Sequence, residues 1–416
     1  MNFLNYRGAH LHAEDVPLHH IAEAVGTPCF VYSRAALVDA FTAYQHAFLQ
    51  HSHLICYAVK ANSNLAILNL LAQLGSGFDI VSEGELARVL AAGGDPGKVV
   101  FSGVGKTMRA MRAALDAGVL SFNVESESEL DRLQRVAELM DKIAPVSLRV
   151  NPDVDAKTHA YISTGLKENK FGVAFEQARA LYRKAASLSH LRVVGIDCHI
   201  GSQITELGPF RDAFARVLSL VDELARDGIA LEHIDLGGGL GIRYQEESPP
   251  SAGEFVRTVL ESIGARNTTV LLEPGRSLVG NAGLLLTKVE YLKPGTARNF
   301  AIVDAAMNDL IRPALYDAWH HIWPVQQRTG ETRDWEIVGP VCETGDFLGR
   351  DRALNLREGD LLAILSAGAY GMSMSSNYNT RPRAAEVMVD GAERHLIRAR
   401  ERVEALYAGE VLLPPS

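Results

Sequence analysis

Between about residues 50 and 275, short apolar runs alternate with longer segments in which apolar residues recur every three or four positions. The short runs are typical of buried strands, and the longer spacing is typical of helices with one buried face. Strands are predicted at 54–59, 78–81, 98–102, 120–124, 145–150, 193–199, 233–236 and 269–273. Helices are predicted between most of them at 65–74, 83–92, 108–117, 129–139, 175–186, 210–225 and 255–263.

Regular alternation of strands and helices favours a parallel sheet covered by helices. Eight strands with intervening helices predict a (β/α)8 barrel, and a doubly wound open sheet is the alternative. A long, polar, glycine-containing segment at 151–170 is predicted to form an excursion on the barrel top.

After about residue 280 the strand-like runs continue, but no regular helices separate them. They lie at 284–291, 300–303, 335–338, 361–365 and 385–389, and they predict a mostly antiparallel β domain. An early run at 28–32 can join that domain. The expected fold class is therefore α/β, with a barrel at 34–278 and a β domain formed by 1–33 plus 279–416.

Composition and charge narrow the function classes. The 416-residue chain has a net charge of −9, which argues against nucleic-acid binding because phosphates require a basic face. It has no run of 18 or more apolar residues and no N-terminal secretion signal, so neither a membrane span nor export is expected. Its four cysteines are widely spaced without a CxxC pair, which fits a reducing, cytoplasmic location.

Two patterns that imitate binding motifs are interpreted as structural. Histidines occur in pairs at 10/12, 19/20, 51/53 and 320/321, but no carboxylate or cysteine completes a helix-spaced set near them, so no metal is predicted. The run GVGKT at 103–107 ends like a phosphate-binding loop, yet Val100 stands where that motif requires its first glycine. Nucleotide binding is therefore not expected.

The predicted strands end in an unusual group of polar residues. In a (β/α)8 barrel the active site lies at the carboxyl ends of the strands. The residues expected at that end are Lys60, Asp79, Arg149, His199, Ser202, the triple glycine at 237–239, Glu273 and Arg276. Any one of them alone is more often structural, as a solvated lysine or a tight glycine turn. Their convergence on one barrel end indicates a site.

These residue types fit a carbonyl cofactor that carries a phosphate. Lys60 can form a Schiff base, because burial makes a lysine amine nucleophilic. A glycine turn offers uncovered backbone N–H groups to a phosphate. A carboxylate such as Glu273 beside a pyridine nitrogen keeps that nitrogen protonated, and the flat ring of His199 can stack on the cofactor.

Seven motifs, taken in order, resemble the fold-type III pyridoxal-phosphate (PLP) decarboxylases. They are YAVKAN at 57–62, HIGSQ at 199–203, DLGGG at 235–239, EPGR at 273–276, CE at 342–343, GAY at 368–370 and SNYN at 376–379. The resemblance covers nearly the whole chain. It implies an alanine-racemase-like barrel with a β domain, and PLP as the cofactor.

The resemblance also implies roles for individual residues. By motif match, Lys60 carries PLP, His199 stacks on its ring, and Glu273 pairs with the pyridine nitrogen. The residues matched to the phosphate and its surroundings are Ser202, Gly238, Gly239, Gly275, Arg276 and Tyr370. The family works as a homodimer with shared sites, to which the partner subunit would bring Cys342 and Glu343. Cys342 is the expected proton donor, so Lys60, His199 and Cys342 are the predicted catalytic residues.

The run NDLIRPALY at 308–316 resembles the subgroup that converts meso-2,6-diaminopimelate into L-lysine and CO2, the last step of lysine biosynthesis. A substrate charged at both ends needs partners for its far end, and an arginine fork suits a carboxylate. The expected substrate-binding residues are Arg276, Arg312, Tyr316, Glu343 and Tyr370. The alternatives are a decarboxylase of another basic amino acid (ornithine, arginine or carboxynorspermidine), a PLP-dependent racemase, and a PLP-binding protein without activity.

Overall fold

The computed structural model describes residues 3–155, 164–165 and 169–415, so the excursion predicted at 151–170 lies partly outside the described residues. The strands are β1 (Leu4–Arg7), β2 (His10–Ala13), β3 (Val16–Pro17), β4 (Cys29–Ser33), β5 (His53–Ala58), β6 (Gly77–Ile80), β7 (Val99–Phe101), β8 (Ser121–Val124), β9 (Ala144–Asn151), β10 (Val173–Ala174), β11 (Leu191–Asp197), β12 (His233–Asp235), β13 (Thr269–Leu272), β14 (Gly283–Lys293), β15 (Phe300–Val303), β16 (Ile322–Pro324), β17 (Arg333–Val338), β18 (Phe347–Leu354), β19 (Leu361–Ile364), β20 (Ala385–Asp390) and β21 (Glu393–Arg398). The helices are α1 (Leu18–Val25), α2 (Arg34–Ala47), α3 (Leu65–Gln73), α4 (Glu83–Ala91), α5 (Met108–Ala117), α6 (Glu127–Leu139), α7 (Phe175–Ser187), α8 (Gly208–Arg226), α9 (Ala252–Ile263), α10 (Arg276–Val279), α11 (Arg312–Tyr316) and α12 (Val403–Leu406).

Eight parallel strands form a closed ring in the order β5, β6, β7, β8, β9, β11, β12, β13, and β13 pairs again with β5. Closure confirms the predicted (β/α)8 barrel and excludes the open doubly wound sheet. The observed strand ends lie within two residues of the predicted ones. The short strand β10 pairs with β9 outside the ring.

Several barrel helices begin where the sequence supplies a capping side chain. Ser82, Thr107, Ser126 and Ser251 precede α4, α5, α6 and α9, and each hydroxyl accepts a backbone N–H from the first turn. This bond satisfies a donor that the helix itself leaves open. Ser251 and Glu254 cap each other reciprocally. Capping therefore fixes where these four helices begin.

The strand register places charged residues side by side at the barrel mouth. Asp79 on β6 lies opposite Ala58 on β5, and Ala58 comes two residues before Lys60 in the chain. Asp197 on β11 lies opposite Asp235 on β12. Part of the buried apolar filling beneath them comes from Cys56, Val100 and Leu271. A water-poor floor therefore supports a strongly charged rim.

A second sheet has the strand order β18-β17-β15-β14-β4-β20-β21, and β19 pairs with both β14 and β16. Its pairs are antiparallel except β15 with β17 and β20 with β4. The mostly antiparallel β domain is therefore confirmed, and β4 shows that the run at 28–32 joins it. The sequence patterns missed β18 and β21, whose segments FLGRDRAL and ERHLIR are interrupted by charged residues. They also missed the small sheet β1-β2-β3.

Contacts between Cα atoms divide the chain into two compact units. The β unit contains 1–37, 244–246 and 279–416, and the barrel unit contains 38–243 and 247–278. Across the described part of the chain, no helix combines the length and apolar character needed to cross a bilayer.

Candidate active site

Lys60 lies directly after β5, in the short 3-10 turn Val59–Ala61. Its Nζ donates to Oδ2 of Asp79 at 2.5 Å. The Asp79 side chain is fully buried, whereas 37% of the Lys60 side chain is exposed. A buried carboxylate therefore holds the lysine ammonium at the barrel mouth while leaving part of it open to a ligand.

The triple glycine at 237–239 follows β12 and packs too closely for any side chain. A Cβ on Gly238 would lie 2.1 Å from the carbonyl oxygen of Glu273, and one on Gly239 would lie 2.4 Å from that of Gly201. Gly239 also has a φ of +107°, which L side chains rarely adopt. The loop is consequently a bare backbone surface, the kind of cradle that suits a phosphate.

Ser202 and Arg276 join the loops that follow β11 and β13. Nη2 of Arg276 donates to Oγ of Ser202 at 3.0 Å, and the Arg276 side chain is buried. Beside it, a Cβ on Gly275 would lie 3.1 Å from the Cβ atoms of both Ala58 and Ala61. The predicted phosphate residues of the barrel unit thus lie in adjoining loops that surround the turn of Lys60.

His199 is a neutral ring within this group. Its Nδ1 accepts from the backbone N–H of Gly238 at 3.3 Å, which leaves the proton for Nε2. Burial holds the pKa of His199 well below its usual range, and the positive charges of Arg149 and Lys60 lower it further. A neutral, oriented imidazole can stack on a flat cofactor without adding positive charge.

Glu273 is buried just beyond the end of β13. Oγ of Ser102 and Nδ2 of Asn123 each approach its Oε1 at 3.5 Å, which is long for a hydrogen bond. Burial raises the pKa of Glu273 well above its usual range, and the negative charges of Asp235 and Asp79 raise it further. The carboxyl group therefore favours a proton, and it suits a basic or cationic nitrogen.

Two further carboxyl groups at the mouth, Asp197 and Asp235, were missed by the sequence analysis. They are buried at the ends of β11 and β12, and one carboxyl oxygen from each lies within 4.8 Å of the other and of one oxygen of Glu273. Arg149 on β9 is the nearby cation, with Nε 4.0 Å from Oδ2 of Asp197. Each aspartate comes two residues before a predicted site residue or loop, and that position on the strand was the available signal.

The remaining predicted site residues belong to the β unit. Arg312 is buried in α11, and its guanidinium lies 5.2 Å from the ring centroid of Tyr244 and 5.6 Å from that of Tyr316. Tyr316 is partly buried. Tyr244 was not among the site residues predicted from the sequence. Tyr370 is partly buried and has a φ of +56°, a backbone conformation that non-glycine residues seldom adopt. The structure thus brings Arg312 and Tyr316 together.

Cys342 and Glu343 are adjacent and exposed on this single chain. The backbone N–H of Cys342 donates to Oδ1 of Asn379 at 3.1 Å. Oε1 of Glu343 accepts from the hydroxyl of Tyr378 at 2.6 Å. The SNYN motif at 376–379 therefore holds the CE pair, a structural role that the sequence alone did not assign.

Comparison with known proteins identifies the family. The sequence profile described as "Pyridoxal-dependent decarboxylase, pyridoxal binding domain" matches residues 34–280. A protein of Pseudomonas aeruginosa named diaminopimelate decarboxylase is 63% identical over 414 residues, covering 100% of both chains. The chain belongs to the diaminopimelate decarboxylase family. This confirms the resemblance seen in the motifs, and it makes the chain a PLP-dependent enzyme.

Solved structures of diaminopimelate decarboxylases share the fold. One from Helicobacter pylori, complexed with L-lysine, has a TM-score of 0.91 at 42% identity and covers 94% of this chain and 98% of that one. One from M. jannaschii, in co-complex with L-lysine, has a TM-score of 0.94 at 38% identity and covers 99% of this chain and 98% of that one. The barrel and the β domain are therefore those of diaminopimelate decarboxylases.

The barrel mouth fits the PLP that this family uses. The glycine loop is bare backbone because a Cβ at Gly238 would overlap the Glu273 carbonyl oxygen. The Lys60 amine is partly open and held by Asp79. A buried carboxyl with a raised pKa, Glu273, supplies a partner for a ring nitrogen. Phosphate, carbonyl and ring nitrogen thus each meet a suitable group within the barrel unit.

Proposed function

We propose that this chain decarboxylates meso-2,6-diaminopimelate to L-lysine and CO2, the last step of lysine biosynthesis. The observation that carries the proposal is the full-length relation to diaminopimelate decarboxylase at 63% identity. Two of the solved structures of similar fold are diaminopimelate decarboxylases in complex with L-lysine, the product of that reaction. The lysine, the glycine loop and the buried carboxyl of the barrel mouth support PLP chemistry.

We propose that the barrel unit holds the cofactor. Lys60 would bond it covalently, His199 would lie on its ring, and Glu273 would face its nitrogen. Its phosphate would be bound by Ser202, Gly238, Gly239, Gly275, Arg276 and Tyr370. When bound, PLP withdraws electrons from the substrate α-carbon, so that the carboxylate attached there can leave as CO2.

The protein's own residues prepare that site. Asp79 accepts from the Lys60 ammonium, which orients the amine toward the mouth. His199 stays neutral because burial opposes its protonation. The apolar filling beneath the rim excludes water, which strengthens each charge interaction at the mouth. The protein would thus contribute to the reaction by orienting the reacting groups and by excluding water from the site.

The β unit supplies the groups that would recognise the rest of the substrate. Arg312, with Arg276, would bind the distal carboxylate, because a guanidinium offers two parallel N–H donors. Glu343 would bind the distal ammonium, and Tyr316 would add a hydroxyl. Cys342 would deliver the proton, from its Sγ, to the carbon that loses CO2.

We further propose a homodimer in which each subunit completes the site of its partner. The exposed positions of Cys342 and Glu343 support delivery of these side chains to a second subunit. We also propose a cytoplasmic location, which is supported by four cysteines that are all free thiols.

The substrate proposal is tested by CO2 release from meso-diaminopimelate, ornithine and arginine, measured in parallel. We expect release from diaminopimelate only. An Arg312→Lys variant keeps the charge but loses the two-pronged geometry, so kcat/KM for diaminopimelate should fall at least about tenfold. No release from diaminopimelate by PLP-loaded protein would overturn the proposal.

Shared sites are tested by mixing two inactive variants, Lys60→Ala and Cys342→Ala. If the dimer shares its sites, random reassociation produces mixed dimers with one intact site, and about a quarter of the normal activity returns. Activity that stays at the level of the separate variants, although mass spectrometry shows subunit exchange, would overturn the shared site.

A further inference from the structure

Three buried carboxyl groups crowd the floor of the barrel mouth. Asp197 and Asp235 end the neighbouring strands β11 and β12, and Glu273 directly follows the next strand, β13. One carboxyl oxygen from each lies within 4.8 Å of the other two. Their exposed fractions are 1%, 0% and 6%. Like charges this close in a water-poor site cannot all be ionised. The cluster must therefore hold at least one proton.

The nearby cations do not neutralise the whole cluster. Arg149 approaches Asp197 at 4.0 Å, but it also pairs with Glu125 at 3.4 Å. Lys60 is paired with Asp79. Among the described residues, ion pairs at the mouth join Lys60 to Asp79 and Arg149 to Glu125 and Asp197, and no such pair involves Asp235 or Glu273.

Among the described residues, two thiols and one imidazole are also packed near the cluster. Burial raises the pKa of both thiols, Cys56 and Cys198, and lowers that of His199. None of them can offset the negative charge of the cluster.

The place of the proton follows from the contacts of each aspartate. Asp197 is the member closest to Arg149, so the negative charge is most favourable there. Asp235 accepts from the Gly237 N–H through Oδ1, while its Oδ2 has no hydrogen-bond partner among the described residues. Burial, the first cause, raises the pKa of Asp235 to about 7. Burial raises the pKa of Asp197 and of Glu273 as well. The contact with Arg149 favours the negative charge on Asp197, so these contacts favour a proton on Asp235 or Glu273.

We propose that Asp235 and Asp197 are positioning residues that set the protonation of Glu273, and thereby that of the cofactor nitrogen it faces. This rests on the proposed function, in which Glu273 faces that nitrogen. The proton moves from the Glu273 carboxyl to the ring nitrogen, breaking an O–H bond and forming an N–H bond. The carboxylate that remains pairs with the cation so formed. The ionised neighbours oppose loss of this proton to solvent.

The experiment is a pH titration of the Glu273 side-chain carbon by NMR. The full-length protein carries 13C in its glutamate carboxyls, with and without PLP, and Glu273→Gln assigns the signal. Asp235→Asn mimics the protonated acid, so the variant should match wild type at low pH. On the alkaline side the proton affinity of Glu273 should fall at least about tenfold, because a negative neighbour is missing.

A matched control and a second variant separate this role from a structural one. Asp222→Asn removes a carboxylate that pairs with Arg266 on the same unit, and it should leave the titration unchanged. Asp197→Asn should shift it in the same direction as Asp235→Asn, which keeps the test decisive if one variant fails to fold. Holoenzyme absorbance against pH should move with the NMR signal.

The inference would be overturned if Asp235→Asn and Asp197→Asn both shifted the Glu273 titration no more than Asp222→Asn does. It would also be overturned if Glu273 were already ionised at neutral pH in the PLP-free wild type. The titration needs no substrate. Failure of the decarboxylation proposal would therefore leave this result intact, and failure of the inference would leave the measured CO2 release intact.

Discussion

Replacing Lys106 by methionine should strongly destabilise the barrel unit. Lys106 is 4% exposed, and its Nζ donates at 2.7 Å to the carbonyl oxygens of Gly103 and Asn123 and to Oε1 of Glu129. The substitution preserves the apolar stem and removes the charge. Glu129, itself 7% exposed, is then left as a buried carboxylate without its cation. Breaking a buried ion pair in this way costs about 3–5 kcal/mol of unfolding free energy.

The stability lost through Lys106→Met should increase with pH. Burial raises the pKa of Glu129 above its ordinary value, and Lys106 opposes that rise. Without Lys106 the folded protein takes up a proton on Glu129 more readily than the unfolded chain does. Stability of the variant therefore falls further as pH increases above the ordinary glutamate pKa, and the gap to wild type narrows in acid.

Urea unfolding at pH 5.5 and pH 8 measures the difference in unfolding free energy between the wild type and Lys106→Met. The double variant Lys106→Met/Glu129→Gln should recover much of the loss and remove its pH dependence, because no buried charge remains. Lys142→Met is the control, since that lysine pairs with Asp116 at the surface and should matter little. A Lys106→Met loss below about 1 kcal/mol, or a gap that is the same at both pH values, would refute the reasoning.

Two further substitutions probe the barrel mouth. Asp235→Asn should stabilise the PLP-free protein at alkaline pH. Burial raises the pKa of Asp235 to about 7, so the wild type loses at most about 4 kcal/mol of unfolding free energy as pH rises from about 4 to 7. The variant lacks this carboxyl group and should not show that loss. Thermal unfolding across pH measures the difference, and a gap that does not vary with pH would contradict it. Gly238→Ala should weaken PLP binding at least about tenfold in a fluorescence titration, because the new Cβ would lie 2.1 Å from the Glu273 carbonyl oxygen. The control is Gly105→Ala, whose Cβ would meet nothing within 4 Å, and this variant should bind PLP normally. Equal PLP affinity of the two glycine variants would argue against a tight loop.

The barrel could be predicted because its strands are short apolar runs bounded by loops, a pattern that survives without tertiary information. Strand β18 was not predicted because three consecutive charged residues, Arg350, Asp351 and Arg352, interrupt its apolar pattern. Its pairing with β17 stabilises it as a strand despite this composition. Likewise, the capping serines explain helix starts that the apolar spacing placed two or three residues late in α6 and α9.

Local sequence was least informative where function depends on register and burial. The GVGKT run that contains Lys106 lacks the first glycine of a nucleotide-binding loop, but only the fold shows that Lys106 is buried against Glu129. Asp197 and Asp235 are 38 positions apart, and each looks like an ordinary residue at a strand end. Pairing of β11 with β12 sets them opposite each other, and the resulting charge repulsion exists only once these two strands have paired.

That repulsion also indicates why the carboxyl cluster suits a cofactor enzyme. Among the described residues, the PLP-free barrel mouth gathers more carboxyl groups than cations: Asp79, Glu125, Asp197, Asp235 and Glu273 against Lys60, Arg149 and Arg276. Such a surplus disfavours the folded protein at neutral and alkaline pH, because the raised pKa values of the buried acids oppose ionisation. A ligand whose basic nitrogen takes the Glu273 proton gives that carboxylate a cationic partner, and it binds only the folded state, so its binding adds to stability. The charges that weaken the empty barrel are thus the charges that favour the loaded one.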